Sequence, residues 1–163
     1  MSIDEMMEEA AQLQAKGDAR AAIGVLLEVI EKQPTDPLVH EMVAKSYDRI
    51  GQEANAVPHY EQALEHGLDG DDRLHAYIGL GSSQRALGRY ADAAATLDRC
   101  LEEFPDSYAA QTFRAMAKYN EGDAKGAFEY LLDLHARTCG DDDVRLYRGP
   151  LQLYAEDIEA VYE

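Results

Sequence analysis

The sequence predicts an all-α chain built from antiparallel helix hairpins. Three observations carry that prediction. Nearly every apolar stretch recurs at helical spacing, and none alternates over the length of a strand. A glycine returns at Gly17, Gly51, Gly88 and Gly122, at spacings of 34, 37 and 34 residues. Around each glycine the same columns return at fixed offsets. Ala10, Ala44, Gly81 and Ala115 stand before it, and Ala22, Ala56, Ala93 and Ala127 follow it. Leu26, Tyr60, Leu97 and Leu131 come next, then Val29, Ala63, Cys100 and Leu134. A repeat at this period is one supersecondary unit that buries its apolar face against its neighbours. In each unit a helix runs to the glycine, turns, and a second helix runs back. The small residues on either side of the turn let the two backbones approach closely, and a larger side chain there would overpack the contact.

The elements follow in order. Unit one (3–36) opens with Ser2 and Glu5 at capping-box spacing, and Pro34 follows its second helix. Unit two (37–70) opens on Asp36 as N-cap with Pro37 in the first helical position. It lacks a closing proline and has Leu68 instead. The three extra residues fall in "HGLDGDDR", a polar turn where insertions are tolerated. Unit three (74–107) ends at Pro105. In unit four (108–141), Gln111, Arg114 and Lys118 take positions that would point into the hairpin, while Phe113, Met116 and Tyr119 face outward. Residues 142–163 do not match the repeat. Val144, Tyr147, Leu151, Tyr154, Ile158 and Val161 form a helical stripe through Gly149-Pro150, which predicts a capping helix kinked near Pro150, or two short ones.

These units resemble the tetratricopeptide repeat, a helix–turn–helix of 34 residues with small residues at its eighth and twentieth positions. The third unit, "LHAYIGLGSSQRALGRYADAAATLDRCLEEFP", matches best, with Tyr77 at the usual aromatic position. The others place Met6, His40 and Gln111 there. The resemblance implies a right-handed superhelix whose first helices line a concave groove for a partner peptide or helix. Mapped onto this chain, that groove is lined by Met7, Gln14, Glu41, Met42, Lys45, Arg49, Ile78, Ser82 and Arg85. One subclass grips a C-terminal carboxylate with Lys and Asn. The matching positions here are Met7, Ala11, Met42, His75 and Gly79, so that clamp is not expected.

Composition narrows the function further. With 46% hydrophobic and 29% charged residues the chain reads as globular rather than disordered. A net charge of −17 argues against nucleic acid and anionic membrane surfaces, both of which draw on Lys and Arg. No apolar run is long enough to span a bilayer, and the acidic N-terminus is unlike a signal peptide, so the chain reads as cytoplasmic. Cys100 on an apolar stripe and Cys139 at a helix end read as reduced thiols.

No catalytic motif stands out. His40-Glu41 lacks the second histidine of a zinc protease, and His135 with Cys139 offers only two ligands. The glycines of "GLGSSQ" sit inside a helix and cannot cradle phosphate. The expectation is a non-catalytic interaction module with no cofactor or metal, binding a protein partner. The alternative is a homodimeric structural module. It would self-associate, or be capped in its own chain, through Phe113, Met116, Tyr119, Tyr147, Leu151, Tyr154 and Ile158, an apolar surface too large to leave open.

Overall fold

The computed structural model describes residues 1–161. Every regular element among those residues is an α-helix, with no strand. Helix α1 (Ile3–Ala15) pairs with α2 (Ala19–Lys32), and α3 (Pro37–Arg49) pairs with α4 (Glu53–Glu65). Helix α5 (Gly70–Ala86) is followed by α6 (Tyr90–Glu103), and α7 (Tyr108–Asn120) pairs with α8 (Ala124–Thr138). Two short helices, α9 (Asp142–Leu146) and α10 (Arg148–Glu156), complete the chain. Two compact units result, Met1–Thr96 and Leu97–Glu163, with the division inside α6.

Local chemistry sets the helix ends. Ser2 Oγ accepts from the Glu5 amide at 3.2 Å, and Glu5 Oε2 accepts from the Ser2 amide at 2.7 Å, a complete capping box. Asp36 caps α3 by accepting from the Leu38 and Val39 amides, with Pro37 in the first turn, where no amide hydrogen is needed. Gly17, Gly51, Gly88 and Gly122 have φ of 83°, 69°, 75° and 98°. A side chain at any of them would be strained by this left-handed backbone, which accounts for the glycine column.

In the first unit Met6, Ala10, Leu26, Val29, Val39 and Val43 form one apolar cluster. Ala44, Ala56, Val57, Tyr60, Ala63, Leu68, Ala76 and Leu80 form another. Ala10, Ala22, Ala44 and Ala56 are fully buried, as close backbone approach requires. Leu68, where unit two lacks its proline, is buried and seals the longer connection.

The second unit holds the α7–α8 hairpin and the C-terminal helices. Cys100 is buried, and burial pushes its thiol up to about 11, which leaves it unreactive at neutral pH. The helical break falls at Tyr147, between α9 and α10, instead of at Pro150. Pro150 is the third residue of α10, where its missing amide hydrogen costs nothing, so it begins a helix instead of bending one. Helix α10 ends at Glu156, so Ile158 and Val161 follow it in non-helical chain; residues 162–163 of the expected capping segment lie outside the described residues.

Candidate functional site

The expected groove lies wholly in the first unit. Helix α3 packs on α4 and also reaches α5, so successive first helices are neighbours there. Hydrogen bonds tie α1 to α3. Gln14 Nε2 donates to the Met42 carbonyl at 2.9 Å and to Ser46 Oγ at 2.8 Å, and Arg49 Nη1 donates to the Gln14 carbonyl at 2.9 Å. Met7 and Met42 are half-buried against the first cluster. Ile78, Ser82 and Arg85, half-buried, lie at successive turns of one face of α5.

One expectation changes here. Glu41 does not stand on an open lining: it is 2% exposed and pairs with Lys45. Burial pushes its carboxyl above the usual range, while hydrogen bonding and attraction to Lys45 oppose the shift. Asp72 of α5 raises it further and His75 lowers it. Glu41 lies on a side of α3 within the influence of Asp72 and His75 of α5, a neighbour that helical spacing alone does not reveal. Gln14 is half-buried and bonded to α3, whereas Arg49 stays exposed while bonding to the Gln14 carbonyl of α1. Met7, Met42, Lys45, Ile78, Ser82 and Arg85, all half-buried, carry the partly open surface together with the exposed Arg49.

A polar centre absent from the sequence-based site joins three helices beside it. Tyr60 Oη donates to Asp48 Oδ2 at 2.7 Å, and Ser83 Oγ donates to Asp48 Oδ1 at 2.8 Å. Burial pushes the Asp48 carboxyl up, and the two hydroxyl bonds hold that rise back. The signal for it was Tyr60 in a column otherwise made of leucine, because a buried tyrosine needs a partner for its hydroxyl. Gly79 makes the room: a Cβ there would lie 2.4 Å from Tyr60 Cζ.

In the second unit Gln111 is buried and donates to the Pro105 carbonyl at 2.8 Å. Arg114 bridges Asp98 and Glu121, and Lys118 pairs with Asp123. A cavity of about 250 Å³ lies among Asp98, Leu101, Arg114, Ala115, Lys118 and Tyr130. It is the space left where cations replace apolar groups in the hairpin. Phe113 and Met116 are half-buried, and Tyr119 is 62% exposed.

The C-terminal helix packs on α8, not on α7, the helix that carries that patch. Arg148 Nε donates to the Ala136 carbonyl at 2.9 Å near one end of α8, and Lys125 meets Asp157 at 2.6 Å near the other. These contacts lay α10 antiparallel along α8. Leu151 is half-buried, whereas Tyr147, Tyr154 and Ile158 stay exposed. Among the described residues no group of three or more His, Cys, Asp or Glu is arranged to hold a metal ion, and no helix is long and apolar enough to cross a membrane.

Comparison with known proteins fits this geometry. The family model described as Tetratrico peptide repeat matches residues 38–158, about three quarters of the chain. The chain belongs to the tetratrico peptide repeat family. No curated protein matches it significantly. Among solved structures it is similar to the MamA RS-1 ArsTM double mutant, at 13% identity and a TM-score of 0.74, covering 95% of this chain and 85% of that one. It is also similar to YrrB, a TPR protein with an unusual peptide-binding site, at 18% identity and a TM-score of 0.71, covering 98% and 86%. A third is a Podosopora anserina putative kinesin light chain with nearly identical TPR-like repeats, at 20% identity and a TM-score of 0.70, covering 94% and 84%. At these identities the likeness is one of fold. Tetratrico peptide repeats are in general protein–protein interaction modules, and this chain shares that broad class.

Proposed function

We propose that the chain is a non-catalytic interaction module that binds a partner peptide or helix along α1, α3 and α5. The observation that carries the reading is the strip of Met7, Met42, Ile78 and Ser82 on consecutive first helices, half-buried without being sealed into the core. Thioethers adapt to varied apolar partners, which suits such a strip. The unusual peptide-binding site of YrrB shows that a chain of this fold can take a peptide. Lys45 is 38% exposed beside the buried Glu41, and Arg49 is exposed one turn further on, so the strip offers a partner cations as well as apolar surface.

Affinity capture from the source lysate tests this, with wild type and the Met42→Glu, Ile78→Glu double variant as baits. The expected result is a heterologous protein retained by the wild type and reduced about tenfold or more by the variant. Equal retention by both, with helical content intact, would refute the groove.

The second unit favours an additional reading, self-association. Tyr119, Phe128, Leu146 and Tyr147 are each more than half exposed, an unusual concentration of large apolar groups. Light scattering after size exclusion is expected to give a dimer mass for the wild type and a monomer mass for Tyr119→Glu, Tyr147→Glu. Both side chains are exposed, so neither change should unfold the chain. A wild type that stays monomeric at high concentration ends this reading.

A further inference from the structure

Two histidines meet inside the α3–α4 hairpin. His40 holds the aromatic position of the second repeat and is 5% exposed. Its Nδ1 lies 3.0 Å from Nδ1 of His59 on α4, and its Nε2 lies 3.0 Å from the Pro34 carbonyl. Gln111, at the same position of the fourth repeat, makes the equivalent bond to Pro105. A carbonyl oxygen only accepts, so His40 carries its hydrogen on Nε2. Its Nδ1 in the neutral ring is then bare, and His59 must carry a hydrogen on Nδ1 to close the contact.

The ring centroids are 5.2 Å apart, close to the N···N distance plus the two ring radii, so the rings meet head to head. That approach suits a shared proton. A chelated ion would need both lone pairs to converge off the line.

The surroundings offer no counter-charge. Tyr47 of α3 stacks on His59, with centroids 5.9 Å apart. His66, which caps the C-terminus of α4, has its ring 6.2 Å from His40, and its Nε2 meets Gln62, which in turn donates to Glu65. Glu41 turns to Lys45 and towards Asp72 and His75 of α5. Arg73 of α5 donates to the Leu64 and Leu68 carbonyls and to Tyr77, and Lys32 of α2 meets the Met6 sulfur. Among the described residues no carboxylate or cation bonds either ring of the pair.

We propose that His40 and His59 are an acid-released fastener between α3 and α4. It holds while a single proton lies between the two Nδ1 atoms and lets go when each ring carries its own. The neutral arrangement satisfies every contact. One added proton leaves the pair charged with no carboxylate bonded to it, and a second sets two N–H groups against each other. Burial, then the His40 ring, lowers the basicity of His59. Its folded value therefore lies below the ordinary 6.5, and the unfolded chain takes up protons first. The contribution of His59 is complete above that ordinary value and is lost as pH falls through it towards the folded one.

Nitrogen-15 NMR of the wild type reads the arrangement directly. At about pH 8 the expected pattern is hydrogen on Nε2 of His40 and on Nδ1 of His59, with the Nδ1–Nδ1 hydrogen bond lost as pH falls to about 5. Hydrogen on Nε2 of His59 at the higher pH, or an Nδ1–Nδ1 hydrogen bond that persists unchanged at about pH 5, would overturn the proposal. Thermal unfolding gives the second reading. Relative to His40→Phe, which restores an aromatic, the wild-type midpoint should drop by about 3 °C or more over the same interval. Equal drops would also overturn it. If His40→Phe fails to fold, His59→Gln supplies the same comparison, because His66, His75 and His135 remain in every variant.

Discussion

Gly79→Ala is expected to lower the unfolding free energy by about 2–4 kcal/mol in urea, against the usual gain of about 1 kcal/mol for this change inside a helix. The new Cβ would lie 2.4 Å from Tyr60 Cζ, 2.5 Å from its Oη and 2.9 Å from Cε1. The ring has nowhere to go, because it is 3% exposed and its hydroxyl is held by Asp48 at 2.7 Å. Overpacking of this kind costs about 1–3 kcal/mol. Displacing the hydroxyl removes one of two bonds to a half-buried carboxylate, a further ~1.5–3 kcal/mol. Together these outweigh the helix gain. In a Tyr60→Leu background, which restores the leucine of the other three repeats, the sign should reverse and Gly79→Ala should stabilise. A double-mutant cycle checks this, and additive effects would show that the ring is not the obstacle.

Lys45→Met is expected to cost about 2–3 kcal/mol at neutral pH, less than a fully buried pair would because Lys45 is itself partly exposed. The cost falls on the carboxylate left behind, since Glu41 is 2% exposed. Its folded value already lies above the ordinary 4.5, mainly through burial. A carboxyl raised on folding costs stability once ionised, so the penalty appears as pH rises through the folded value and fades below it. Losing Lys45 raises that value further. The Lys45→Met defect should therefore shrink in acid, and Glu41→Gln in the same chain should relieve much of it at neutral pH. Unfolding curves at several pH values measure both. A defect independent of pH and untouched by Glu41→Gln would mean that Lys45 acts through the packing of its alkyl stem.

Much of the fold was legible because the repeat imposes local rules. Four turns need a left-handed residue, so four glycines stand there. Four hairpins need close backbones, so small residues stand on both sides of each turn. Caps such as Ser2 and Asp36 act within three residues and can be read directly. What escaped the reading depended on pairs far apart in the chain. Periodicity placed Glu41 on the groove face of α3 but could not say how closely α5 approaches it. His40 and His59 are 19 residues apart on different helices, and nothing in either helix's own pattern announces their contact. The apolar stripe of the C-terminal segment showed that it must pack. The polar contacts of Arg148 and Lys125, one near each end of α8, determine where it does so.

The bonds joining α3 to its neighbours also bear on how the protein is made. Arg49 reaches back 35 residues to Gln14, and Ser83 reaches back 35 to Asp48, about one repeat in each case. Contacts of such short span close quickly. As the chain leaves the ribosome, each hairpin has its partners once the next repeat has emerged, and the first unit need not wait for the C-terminus. Folding can then keep pace with translation from one end to the other, and little apolar surface stands open while synthesis continues.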